Sequence, residues 1–92
     1  MNTSSAKQRG KGTSRDKKID RLIGETLRSR REKQGMSQTA LGELLGVTFQ
    51  QIQKYEWGIN SVAAARIPDL CNALGIAADE LFAGTGIKTR RR

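Results

Sequence analysis

Residues 37–58, "SQTALGELLGVTFQQIQKYEWG", leave little freedom in how this chain can fold. Ser37 and Thr48 carry side-chain oxygens suited to capping a helix N-terminus, and each precedes an apolar stripe. Leu41, Leu44 and Leu45 follow the first cap, and Ile52 and Tyr55 follow the second. Only Gly46 and Val47 lie between the end of one stripe and the next cap, so the reversal is tight. Gly46 can take the left-handed backbone that such a reversal needs. The spacing predicts helices over about 38–45 and about 49–56 or 57, with Gly58 closing the second. The two helices must lean on each other where they cross, and Gly42 puts a small residue there. Leu41, Leu45, Val47, Ile52 and Tyr55 are spaced to lock the unit. Each feature is weak alone, but together at fixed spacing they are a strong signal.

Two short helices around a glycine-containing turn form a helix-turn-helix candidate. Upstream, "IDRLIGETLRSRREKQG" sets Ile19, Leu22, Ile23 and Leu27 at helical spacing before Gly35, predicting a helix over about 20–33. Downstream, Ser61 is a possible cap, with Ala65, Ile67, Leu70, Cys71 and Leu74 on the inner side. Proline in a helix interior costs about 3 kcal/mol or more, so Pro68 belongs in a first turn. The expectation is an irregular stretch over 61–66, a helix over about 67–74 stopped by Gly75, and a short helix over about 78–82. Asp79 and Glu80 suit that last N-terminus; as adjacent residues they diverge too far to act as an acid–base pair.

Aromatic residues make up only 4% of the 92, so the core must come from Leu, Ile, Val and Ala, which favours an all-α fold. The formal charge of +8 is unevenly placed. Residues 1–18 hold Lys7, Arg9, Lys11, Arg15, Lys17 and Lys18 against Asp16. Residues 88–92 add Lys88, Arg90, Arg91 and Arg92, while the stretch between is close to neutral. The expected organisation is a disordered basic arm over 1–18, one domain over 19–84 and a basic tail over 85–92. Such tails suit a polyanion, nucleic acid first; the bland alternative is solubility.

Cys71 is the single cysteine and histidine is absent, which excludes an internal disulfide and leaves no zinc tetrad. Its apolar neighbours point to a buried structural thiol. No metal, cofactor or assembled catalytic pair is expected, and so no enzyme. No apolar run approaches the roughly 18–20 residues of a membrane span, and the first 20 residues lack an apolar signal core, so the expected location is cytoplasmic.

From "IGETLRSRREKQGMSQTALGELLGVTFQQIQKYEWG" to "IPDLCNALGIAADELF", residues 23–84, the chain resembles the lambda-repressor-like, or XRE-type, helix-turn-helix domain of phage repressors and bacterial transcription regulators. The resemblance covers about two-thirds of the chain and leaves both tails outside. It implies a compact bundle of five helices whose third helix enters the DNA major groove. The implied function is a sequence-specific, double-stranded DNA-binding transcriptional regulator, a repressor acting as a homodimer on a pseudo-palindrome. The dimer contact would lie around Leu74, Ile76 and Phe82. The alternative is an antitoxin or an adaptor that uses the same fold to bind a protein partner.

At about 100° per residue, Ile52, Tyr55 and Glu56 turn inward on the third helix, while Gln50, Gln53 and Lys54 turn outward with Gln51 beside them. Between Thr48 and Tyr55 there is no acidic residue, as a surface approaching phosphates requires. Glutamine can bond adenine N6 and N7 together, and lysine reaches guanine or a phosphate. Phe49 stands where the family often has a polar residue. It could meet a thymine methyl or pack back onto the second helix. Base contacts are therefore expected from Phe49, Gln50, Gln53 and Lys54.

By resemblance, Gln38 bonds a phosphate from a helix N-terminus, and Thr48 combines capping with a phosphate contact. Asn60, Ser61 and Arg66 would run beside the second strand, with Gln51 and Trp57 completing the backbone contacts. Trp57 has the alternative of covering the bundle edge. Arg28 and Arg30 are either further phosphate contacts or solvated charges. The resemblance also implies a partly buried ion pair between Arg31 and Glu56 that fixes the third helix against the bundle.

Overall fold

The computed structural model describes residues 13–87. The basic residues expected to act in the outer parts of the two tails lie outside that range.

The first helix, α1, runs Ser14–Lys33. It starts about six residues before the expected position, so residues 14–18 are helix and not part of a disordered arm. The cause is local: the Asp16 N–H donates to Thr13 Oγ1 at 3.0 Å and the Thr13 N–H donates to Asp16 Oδ2 at 3.2 Å. That reciprocal box satisfies two amides that would otherwise lack partners at the helix start. The polar, basic composition of the segment hides this signal. Arg30, Arg31 and Lys33 in the last turn complement the helix dipole, and Gly35 ends the run at φ +70.

Helices α2, Gln38–Leu45, and α3, Phe49–Glu56, have the expected bounds. Ser37 Oγ accepts from the Ala40 N–H at 3.0 Å, and Thr48 Oγ1 accepts from the Gln51 N–H at 3.2 Å. Gly46 adopts φ +74, and the Val47 N–H returns to the Gly42 carbonyl at 2.9 Å. A Cβ on Gly42 would lie 2.6 Å from the Val47 carbonyl oxygen, which is why the crossing needs glycine. A 3₁₀ turn, Ala64–Arg66, leads into α4, Ile67–Leu74, with Pro68 in its first turn. The last helix, α5, spans Ala78–Leu81, and Glu80 Oε1 accepts from the Ala77 N–H at 2.8 Å. Among the described residues there are five α-helices and no strand.

Leu27, Leu41, Ile52, Leu70, Leu74 and Leu81 form the fully buried centre, and Ile23, Leu45, Tyr55, Cys71 and Ile76 surround it. Burying each large aliphatic side chain contributes about 1.5–3 kcal/mol. Three expectations need correction. Leu74 and Ile76 are buried within the bundle, so of the residues named for the dimer contact only Phe82 is partly exposed. Ala65 is exposed, because the 3₁₀ turn rotates it off the inner side of α4. Ser61 caps no helix, and its hydroxyl donates to Asp20 Oδ2 at 2.6 Å.

Candidate nucleic-acid interface

The outward side of α3 exists because the inward side is held at three points. Ile52 and Tyr55 are buried in the core. The backbone of Tyr55 and Glu56 lies directly on Gly24 of α1, where a Cβ would stand 2.3 Å from the Tyr55 oxygen. The Glu56 carboxylate, buried, receives Arg31 Nε at 2.6 Å and Arg31 Nη2 at 3.1 Å. Arg31 Nη1 also donates to the Met36 carbonyl at 2.8 Å, tying the α1–α2 turn to the pair. A planar guanidinium meeting a carboxylate with two parallel bonds fixes orientation as well as distance. The hydrogen bond to Glu56, opposed by desolvation, raises the Arg31 pKa above its usual value.

Outside this anchor, Phe49, Gln50, Lys54 and Trp57 are exposed, and Gln51 and Gln53 are half-buried. Gln50 and Lys54 stand one turn apart, and neither side chain hydrogen-bonds another described residue. The two half-buried glutamines are engaged. Gln51 Nε2 donates to Asn60 Oδ1 at 3.2 Å, and Gln53 Nε2 donates to Gln38 Oε1 at 3.1 Å. Gln38, at the start of α2, gives its own amide N–H to Glu56 Oε1 at 3.0 Å. Glu56 is therefore linked to the outward side of α3, not isolated from it.

Trp57 is 59% exposed at the end of α3. Asn60 and Ser61 lie exposed in the loop after α3, and Arg66 is half-buried at the start of α4. Thr48 accepts a backbone amide and keeps its hydroxyl hydrogen for another acceptor. Arg28 pairs with Glu32 at 3.1 Å and Arg30 with Glu80 at 3.5 Å, which places both in surface ion pairs.

Several positioning contacts carry no obvious signal in the sequence, even where, as at Gly58, the residue itself reads as a helix stop. Gly24 reads as a fault in α1 until its contact with α3 is seen. Gly58, at φ +74, places its Cα against Arg21, where a Cβ would lie 2.8 Å from Arg21 Cγ. Gln34 Nε2 reaches the Leu74 carbonyl at 2.9 Å and fastens the end of α1 to α4. Among the described residues no group of three or more His, Cys, Asp or Glu could hold a metal, and no helix is long and apolar enough to cross a membrane.

Two short helices locked about Gly46, the second turning a polar, acid-free side outward, define a helix-turn-helix domain. The chain belongs to the XRE-type, lambda-repressor-like helix-turn-helix family: the family model described as "Helix-turn-helix" matches residues 27–81. The uncharacterized HTH-type transcriptional regulator y4wC of Sinorhizobium fredii is 49% identical over 72 residues, covering 78% of this chain and 50% of its own length. The chain thus spans about half the length of that relative. Among solved structures, the P22 c2 repressor in complex with a synthetic operator matches with a TM-score of 0.64 and 32% identity. That match covers 67% of this chain and 94% of the repressor chain. The restriction-modification controller protein C.AhdI of Aeromonas hydrophila matches with a TM-score of 0.65 and 33% identity, over 68% of this chain and 96% of its own.

Proposed function

We propose that this chain is a sequence-specific transcriptional regulator, a repressor, that places α3 in the major groove of double-stranded DNA. The observation that carries this reading is the pairing of Gln50 and Lys54: both are exposed one turn apart, with no acidic residue from Thr48 to Tyr55. Phe49, Gln50, Gln53 and Lys54 meet bases. Gln38, Thr48, Gln51, Trp57, Asn60, Ser61 and Arg66 meet the sugar–phosphate backbone. The similarity to a repressor described in complex with an operator supports the same mode of use. A single domain of this size spans few base pairs, so two copies on a pseudo-palindrome about one helical turn apart supply the specificity.

The test is selection of bound sequences from random duplexes, repeated with Gln50→Ala and Lys54→Ala. Loss of one preferred base in each variant assigns readout, whereas uniform weakening assigns backbone contact. Neutralising about six to ten phosphates should lower affinity by ~10³–10⁵ between 50 and 200 mM salt. Binding indifferent to salt would overturn the reading.

A further inference from the structure

A chain of hydrogen bonds leads from the buried ion pair to the outer side of α3. The Glu56 carboxylate takes Arg31 Nε, Arg31 Nη2 and Gln38 Nε2; Gln38 Oε1 takes Gln53 Nε2. A carboxylate only accepts, whereas a primary amide has one donating and one accepting end. Gln38 must therefore turn its amino end to Glu56. Its carbonyl oxygen then faces Gln53, and Gln53 must turn its amino end inward in response.

Chemistry at the inner end thus sets which way both amides point, a choice that is otherwise open for any glutamine. Reversing Gln53 alone would oppose its oxygen to that of Gln38 across 3.1 Å. Reversing both would set the Gln38 oxygen against the carboxylate. Each loses a hydrogen bond in a part-buried site and leaves an acceptor facing an acceptor. At the outer end remain the Gln53 carbonyl oxygen, which bonds no other described residue, and the second hydrogen of Nε2.

Given the DNA-binding reading above, we propose that Glu56, acting through Gln38, is a positioning residue for base selection by Gln53. With its carbonyl oxygen held outward, Gln53 selects a base that offers an exocyclic amino donor, adenine N6 or cytosine N4. Guanine O6 or thymine O4 at that position would oppose the Gln53 oxygen and find only the one remaining Nε2 hydrogen, so both are disfavoured.

The experiment is selection from random duplexes by the wild type, Gln53→Ala, Gln38→Met and Glu56→Gln, with each protein's melting temperature recorded. Gln53→Ala identifies the position read. The wild type is expected to prefer adenine or cytosine there by about tenfold. Gln38→Met keeps the Arg31–Glu56 pair and cuts the chain, so it loses that preference beyond any uniform weakening from its phosphate contact, keeps selectivity at other positions, and melts above Glu56→Gln. Glu56→Gln can present either amide end, so it relaxes the same position even though it melts lower. A Gln38→Met protein that binds all sequences more weakly but keeps the preference would reduce Gln38 to a phosphate contact and overturn the proposal. So would a wild-type preference for guanine or thymine at that position, or a Gln53→Ala variant with unaltered preferences. If the wild type selects no sequence at all, the DNA-binding reading fails first and takes this one with it.

Discussion

Gly24 and Tyr55 meet where α1 and α3 come closest, and a Cβ on Gly24 would stand 2.3 Å from the Tyr55 carbonyl oxygen. The next obstacles, the Glu56 oxygen and carbonyl carbon at 2.6 and 2.9 Å, are also backbone and cannot swing aside. Alanine gains about 1 kcal/mol over glycine in a helix interior. Here the contact must win, because both helices are held by their other ties. Gly24→Ala is expected to lower stability by about 1–3 kcal/mol in urea unfolding. A raised midpoint would mean that α1 and α3 separate freely.

That glycine also shows where sequence legibility ends. The bounds of α2 and α3 follow from neighbours within four residues: Ser37, Thr48, Gly46 and the apolar spacing. These are local quantities and could be read directly, as could the all-α class. The contact of Gly24 with residues over thirty positions later is not local, so it reads as a propensity fault. The same holds for the Ser61 hydroxyl, whose partner Asp20 lies in α1. Leu74, ending α4, and Ile76, just past Gly75, look alike in sequence whether they face a core or a second copy; only the packed bundle shows that they are buried. On α3, the wheel separates inner from outer side chains, but it cannot show that Gln53 is tied to Gln38 while Gln50 is free.

Removing one partner of the Arg31–Glu56 pair leaves the other charge buried. Glu56→Ala should therefore cost about 3–5 kcal/mol of stability by denaturant unfolding. The double replacement Arg31→Met with Glu56→Leu removes both charges and should recover much of that loss. The recovery is the diagnostic: if the double variant is no more stable than Glu56→Ala, the cost came from lost packing. Because Gln38 loses its acceptor as well, Glu56→Ala should also disturb the outer side of α3.

Burial raises the Cys71 pKa, and the nearby Glu80 carboxylate raises it further. The folded state therefore favours the protonated thiol. Its contribution to stability is full below the unfolded thiol's pKa of about 8.5 and is lost as pH rises through the higher folded value. Cys71 should react slowly with a thiol reagent in the native protein and rapidly in urea. Cys71→Ala should remove part of the decline in stability above about pH 8.5. Rapid native-state labelling would place the thiol in reach of solvent.

Phe49 begins α3 and is 42% exposed, which leaves a substantial part of its ring outside the fold. If α3 lies in the major groove, that ring can cover the C5-methyl of a thymine. Replacing thymine by uracil removes only that methyl and keeps every hydrogen-bonding group. The wild type should bind the uracil duplex about fourfold more weakly at one position, the value of one buried carbon. Phe49→Ala should bind both duplexes equally and lower stability by only about 1–2 kcal/mol, the share of a full Phe burial that a 42% exposed residue can lose. A Phe49→Ala variant that is strongly destabilised, yet keeps the thymine-over-uracil difference, would instead assign the ring to packing against α2.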